Sequence, residues 1–458
     1  MFAPRIYTDR RERLLSNFTS GLLLFLGNDE SPMNYGDNAY PFRQDSSFIY
    51  YFGVDRPNCA ALIDLDEHRT MLFGEDLSLD DIVWTGHLPT VADVAAQGGV
   101  TATGDMAALA AMLESAKGRA VRFLPPYRAD QRIKLFHLLG IHPDEQGARS
   151  SLELVQAVLA MRANKSPEEI AELEKAVDIS VDMHLAAIRM ARPGVKESAI
   201  AAKVTEIALA AGGTLPYPVI ATVHGETLHN HSYHNTLESG QMFLLDAGAD
   251  TPSHYGGDLT STCPVDPAFT PRQREIYQIV LKAHLGAVQQ LKPGVPFRQV
   301  HLDACRSMAE GLKAIGLMKG DLGDAVAQGA HAMFFQCGLG HMLGLDTHDM
   351  ENFGEQWVGY EGQPKSTQFG LKSLRLARPL QPGFVLTVEP GLYFIPELID
   401  RWKAENKFME FINYDLLESY RGAGGIRVEE NLLITETGHR VLGKARPLTI
   451  EQVEAAKG

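Results

Sequence analysis

The sequence predicts an α+β protein of two domains: an α/β domain over residues 1–160 and a larger mixed domain over residues 161–458. Three observations predict it. The chain has 458 residues, more than one hydrophobic core usually accommodates. Its first third alternates short apolar strands with helical stretches. Near residue 160 the pattern changes to long capped helices, followed by strands that carry acidic residues and histidines.

Taken in order, the strands expected in the first domain are Gly21–Gly27, Ser47–Phe52, Ala60–Asp64, Thr70–Phe73 and Ala120–Leu124. The expected helices include Met106–Lys117 and Gln131–Leu139. Such alternation fits a largely covered sheet. The second domain opens at Ser166-Pro167-Glu168-Glu169, where Ser166 can cap, Pro167 suits the first helical position and Glu169 completes a capping box. Behind it Ile170, Leu173, Val177, Val181, Leu185 and Ile188 recur at helical spacing, and Arg192-Pro193-Gly194 stops the helix. Thr270-Pro271-Arg272-Gln273 opens a second helix, expected to run to about Leu291, which Lys292-Pro293-Gly294 stops. The echo of the two stops suggests an internal duplication. Strands are then expected at Gln241–Ala247, Phe384–Phe394 and Gly425–Thr435, with long surface loops at Asp349–Pro379 and Asp400–Tyr414.

Composition narrows the function classes. The formal net charge is −15, whereas nucleic acids and anionic membranes attract basic faces; neither is expected as a partner. The four cysteines, Cys59, Cys263, Cys305 and Cys337, lie far apart without a CxxC pair, so reduced thiols are expected rather than a disulfide framework or a cysteine zinc site. Gly21–Gly27 is too short to span a bilayer, and no leader pattern is read at the amino terminus. A cytoplasmic protein is expected.

The chemistry gathers at strand ends. Leu244-Leu245-Asp246-Ala247-Gly248 closes an apolar strand with a carboxylate among small residues. Tyr255-Gly256-Gly257-Asp258-Leu259-Thr260 brings a second Asp into a neighbouring strand. A hairpin would place these acids side by side, where they repel unless a cation or a shared proton compensates. Gly338-Leu339-Gly340-His341 sets a histidine among glycines, Thr387-Val388-Glu389-Pro390-Gly391 ends a buried strand on Glu389, and Arg427-Val428-Glu429 puts Arg427 and Glu429 on one strand face. Singly, each has a plain structural explanation: a turn-initiating Asp, a core His, an ion pair. Jointly, five polar groups at apolar strand ends would need five separate compensations. Two divalent cations supply them together, because four carboxylates balance four positive charges. Oxygen-rich coordination with one imidazole favours Mn²⁺, with Co²⁺ or Zn²⁺ as alternatives. Two such ions acidify a shared water, which then attacks a carbonyl carbon.

In their order and spacing these motifs resemble the pita-bread metallopeptidases, prolidase and Xaa-Pro aminopeptidase. Phe42-Arg43-Gln44-Asp45-Ser46 and Trp84-Thr85-Gly86 are similar to that family's creatinase/prolidase-like amino-terminal domain, which gates substrate and mediates assembly. The resemblance implies a pita-bread catalytic domain with Asp246, Asp258, His341, Glu389 and Glu429 as metal ligands. In it Glu389 also moves a proton, His229 lies on the substrate side, His348 contacts the scissile carbonyl, and Arg427 orients a ligand carboxylate. It further implies Arg375, in Ser373-Leu374-Arg375, as a grip on a dipeptide's carboxylate, and a homodimer or homotetramer in which Trp84 reaches a neighbour's site; by itself Trp84 reads as a core aromatic, the commoner fate of a tryptophan. Two departures stand out. The Asp246–Asp258 interval is one residue longer than usual, and Cys337 occupies the place of a second substrate-contacting histidine. The expected function is hydrolysis of the Xaa-Pro bond in dipeptides or short peptides. The alternatives are an aminopeptidase for longer peptides, a hydrolase of non-peptide substrates such as phosphotriesters, and a non-catalytic binding protein on the same scaffold.

Overall fold

The computed structural model describes residues 1–458, and the chain divides into two compact units, Met1–Arg162 and Ala163–Gly458. The first unit is built on a mixed five-stranded sheet. Its strands are β1 (Leu22–Leu26), β2 (Ala60–Asp64), β3 (Arg69–Phe73), β4 (Ala102–Gly104) and β5 (Val121–Phe123), in the order β4-β3-β2-β1-β5. β1 and β2 are apolar on both faces because both are covered. Leu22, Leu24 and Leu62 pack with Leu109, Leu113 and Leu135 of two helices, while Phe25 meets Tyr51 and Phe52 on the other side.

Those last two aromatics belong to a segment expected as a strand, and here the structure corrects the expectation. Ser46–Phe52 is a helix, capped by the Asp45 side chain accepting from Phe48 N at 2.9 Å and closed by Gly53 at φ 63°. All seven of its residues are buried, so no polar position breaks the apolar run and its sequence carries no period to read. The cap and the left-handed stop decide the matter instead.

The second unit repeats one arrangement twice. The helix Pro167–Met190 is followed by Glu197–Ala210, and Pro271–Val288 by Phe297–Ala314. Each pair turns through its Pro-Gly stop and ties that turn to the approaching strand in the same way. Gly194 N donates to Leu237 O at 2.9 Å and Leu237 N to Val195 O at 2.8 Å; Gly294 N donates to Leu380 O at 2.8 Å and Leu380 N to Val295 O at 2.9 Å. Nine residues beyond each leucine, from 237 to 246 and from 380 to 389, stand Asp246 and Glu389. The duplication therefore reaches the acids themselves.

The strands that follow form three small sheets. β6 (Ile220–Thr222), β7 (Met242–Ala247) and β8 (Leu259–Pro264) make one, with Asp246 opposite Thr260. β9 (Val385–Val388) pairs β12 (Glu430–Ile434), which pairs β13 (His439–Val441). β10 (Gly391–Tyr393) pairs β11 (Gly425–Arg427), with Gly391 opposite Arg427. The expected strands Phe384–Phe394 and Gly425–Thr435 are thus each two strands in different sheets. Pro390 lacks the N–H that would continue the first ladder, and the second breaks at Val428-Glu429. The expected loops also hold structure: Glu355–Tyr360 and Pro396–Ala404 are helices, and Trp402 of the latter is buried in the core.

Candidate metal centre

The β7–β8 hairpin meets the junction of β11 and β12 edge to edge. Glu429 N donates to Thr260 O at 3.2 Å, and Thr260 Oγ1 donates to Glu429 Oε2 at 2.7 Å. Asp258 N donates to Asn431 Oδ1 at 2.9 Å, and Asn431 Nδ2 returns the bond to Asp258 O. From behind, the helix Pro167–Met190 clamps the first hairpin. Ser180 Oγ accepts from Ala249 N at 2.9 Å, and His184 spans Ser261 Oγ at 2.8 Å and Ala247 O at 2.9 Å. The acids consequently sit on fixed backbone.

At this seam five side chains converge. His341 Nδ1 bonds Met342 O at 2.9 Å, which turns Nε2 toward Asp258 Oδ2 at 3.2 Å and Glu389 Oε1 at 3.5 Å. The approach depends on Gly340, where a Cβ would lie 2.0 Å from Thr387 O. Glu389 follows the end of β9, its N–H held by Leu339 O at 2.8 Å. Arg427, itself buried, donates from Nη2 to Asp246 Oδ2 at 2.5 Å, from Nη1 to the Tyr393 hydroxyl at 2.8 Å and from Nε to Thr260 Oγ1 at 3.0 Å.

Electrostatically the cluster is under-compensated. Burial raises the carboxyl of Asp246 against the opposing charge of Arg427. Burial and the charges of Asp258, Glu389 and Asp246 raise Glu429 well above the carboxylate range. Burial pushes Glu389 up to about 7, with His341 and Arg427 opposing. For His341 burial acts downward, but the hydrogen bond and charge of Asp258, with Glu389 and Glu351, overcome it and raise the imidazole to about 9. Four acids therefore outnumber the cationic groups set among them, Arg427, His341 and, behind Glu429, Arg446. Asp246 Oδ1, moreover, is buried with no hydrogen-bond partner, and such an orphan is costly unless something else engages it. Donor atoms of Asp258, His341 and Glu429 all lie within 4.8 Å of one another. Carboxylate-rich and with one imidazole, this set fits a pair of divalent ions.

The centre floors a cavity of about 490 Å³, a size that suits small ligands. His229, His348, Cys337 and Arg375 all line it. The His348 ring stands edge-on to His341, centroids 4.2 Å apart; burial first, then the charges of His341 and Arg375, lower its basicity and keep it neutral. His229 lies on an exposed loop at the cavity wall, its basicity lowered by partial desolvation. The Cys337 thiol faces the Tyr393 hydroxyl at 3.9 Å, and burial pushes it up to about 12. Arg375 Nη1 is paired with Glu351 and Glu355. Trp84 is not among the lining residues; it is 87% exposed on the helix Leu79–Thr85, which excludes the core reading of that tryptophan.

Sequence reasoning missed Tyr217, whose hydroxyl donates to Asp258 Oδ1 at 2.5 Å, and also Thr260, Tyr393 and Asn431. Tyr217 stands between Pro216 and Pro218, a pair that fixes φ on either side of it and was its available signal.

Known proteins share this fold. Residues 171–436 match the model of metallopeptidase family M24, and residues 7–122 that of the aminopeptidase P amino-terminal domain. The chain is 30% identical to the Xaa-Pro dipeptidase of Homo sapiens over 97% of its own length and 90% of that protein's. To the Xaa-Pro aminopeptidase of Escherichia coli it is 30% identical over 97% and 96%. Among solved structures, zinc-substituted E. coli aminopeptidase P in complex with product matches at a TM-score of 0.83, 30% identity, 100% of this chain and 98% of that one. The same enzyme with the inhibitor Pro-Leu matches at 0.82, with the same identity and coverage. The amino-terminal domain and the pita-bread catalytic unit thus agree with these relatives along nearly the whole chain, which belongs to metallopeptidase family M24.

Proposed function

We propose that the protein is a dinuclear metallopeptidase that hydrolyses the Xaa-Pro bond of dipeptides and short peptides. The observation that carries this reading is the meeting of Asp246, Asp258, His341, Glu389 and Glu429 on the floor of a cavity of peptide size. These five residues would hold two divalent ions, best Mn²⁺ for so oxygen-rich a set, with Co²⁺ or Zn²⁺ able to substitute. When bound, the ions would acidify a water to hydroxide near neutral pH.

The chain's own groups supply the rest. Glu389 is the most exposed acid of the set, its side chain 20% exposed against 14% for Asp246. It is placed to take the water's proton and to deliver it to the leaving prolyl nitrogen. His348, held neutral, donates a single hydrogen bond to the scissile carbonyl as negative charge develops there. Arg427 fixes the orientation of Asp246. His229 and Cys337 shape the substrate side of the cavity. Both carboxylate partners of Arg375 engage Nη1. The Nη2–Nε edge of its fork would then take the terminal carboxylate of a dipeptide, which supports the dipeptide reading over longer peptides. Trp84, exposed beside Leu79 and Val83, fits the role of an arm offered to a second copy in a homodimer or homotetramer.

Comparing rates on Ala-Pro and Ala-Pro-Ala under Mn²⁺ titration tests the proposal. Faster cleavage of Ala-Pro is expected, with Arg375→Ala reversing the preference. Inactivity on both substrates sinks the peptidase reading.

A further inference from the structure

The helix Phe297–Ala314 and the short 3-10 turn Ala330–Met333 enclose a second group of metal-ligating side chains. His301, Cys305 and His331 are 0%, 0% and 3% exposed. His301 and Cys305 are one helical turn apart and share a face. Donor atoms of all three residues lie within 4.8 Å of one another. Cys305 Sγ is 3.6 Å from His301 Nε2. An ion bonded to a thiolate at about 2.3 Å and to an imidazole at about 2.0–2.1 Å holds those two atoms roughly 3.5–3.8 Å apart.

The polar atoms here are otherwise idle. His301 Nδ1 and both ring nitrogens of His331 are buried without a hydrogen-bond partner. The backbone of Val326 approaches His331, yet it completes no well-formed bond to either nitrogen. An apolar side chain would fill the same volume without orphaned nitrogens, so packing alone does not account for three such residues.

We propose that His301, Cys305 and His331 form a three-coordinate site for a single Cu⁺ ion, separate from the carboxylate centre. A thiolate is a soft donor and two imidazoles are borderline ones, a set that suits Cu⁺ or Zn²⁺, and charge selects between such ions. The groups that act on the cluster are Arg298 on His301 and the Cys337 thiol on Cys305; no carboxylate is among them. Burial drives both imidazoles far toward the neutral form, His301 to about 3 and His331 to about 4, and holds the thiol protonated. The cluster is then neutral as it stands. When Cu⁺ binds sulfur, one proton leaves the thiol, and the site stays neutral. A divalent ion would leave one positive charge in an apolar interior, a costly outcome. The two centres thus sort cations in opposite directions: four carboxylates take hard divalent ions, and one thiolate takes a soft monovalent one.

The test uses the Mn²⁺-loaded protein without oxygen, with Cu⁺ delivered as its bicinchoninate complex. Expected are one Cu⁺ retained per chain, one proton released per ion, and an X-ray absorption shell of one sulfur and two nitrogens. Cys305→Ala and His331→Leu should each weaken retention by at least the roughly ten- to hundredfold that loss of even an outer partner costs a metal site. The X-ray shell is read on the wild-type chain, so the test stands if both variants fold poorly. No retention by the wild type, retention unchanged in both variants, or a shell without sulfur overturns the proposal. So does tighter retention of Zn²⁺ than of Cu⁺ at this cluster. None of these readouts depends on peptide hydrolysis.

Discussion

In the first copy of the repeat the acids are aspartates on one continuous hairpin, β7–β8, clamped from behind by Ser180 and His184. In the second copy they are glutamates, and both stand where a strand breaks: Glu389 between β9 and β10, Glu429 between β11 and β12. Short side chains on a fixed ladder have little room to move. Longer ones at strand breaks reach further and, in Glu389, stay open to the cavity. The same scaffold thus provides an anchoring half and a half suited to handling protons.

The largest expected effect tests that division directly. Glu389→Gln should cut Ala-Pro turnover by about 10²–10⁴-fold while bound metal, measured by atomic absorption, is retained. Asp258→Asn should lose both turnover and metal. Equal metal loss in the two variants would erase the distinction between the halves. Next comes the pair that spans them. Arg427→Met leaves Asp246 buried without its partner and should destabilise the metal-free chain by about 3–5 kcal/mol, read by urea denaturation. An excess of Mn²⁺ should recover most of this loss.

A smaller effect is expected from pH. Glu389 is raised from 4.5 to about 7 and His341 from 6.5 to about 9 in the metal-free chain. Both groups favour their protonated forms in the folded state. The stability tied to Glu389 is complete below its unfolded pKa and is lost as pH rises through about 7; that of His341 is lost as pH rises through about 9. The metal-free chain should therefore lose stability between pH 5 and 9, with up to about 3 kcal/mol from Glu389. Glu389→Gln should remove the lower part of that decline in thermal melts, and a flat profile would argue against crowded acids. The smallest effect is at Trp84. Trp84→Ala should change stability by less than about 0.5 kcal/mol while shifting the sedimentation profile toward smaller species.

Which parts of this were readable beforehand follows from where information sits in a chain. Asp246 and Glu389 were readable because each closes an apolar strand, where a polar residue is conspicuous; Asp258 and Glu429 because each stands just before one, and His341 because it stands among glycines. The helices opening at Ser166 and Thr270 were readable through their capping boxes, both of which form. The helix at Ser46–Phe52 was not, because burial on all sides erases periodicity. Thr260 and Asn431 act through contacts between segments remote in sequence, and nothing local marks them; Tyr217 had only its two flanking prolines as a signal. His331 likewise gives no sign in the sequence that it will meet His301 and Cys305.

The seam between the two copies of the repeat also sets an order of events. Asp246 and Glu429 are 183 residues apart, from 246 to 429, and each copy of the repeat contributes only part of the ligand set. Neither copy alone can trap a pair of ions. On the proposed function, metal uptake would be a coincidence detector for assembly: it would register that both halves have folded and docked, and a chain stalled between them would stay unloaded.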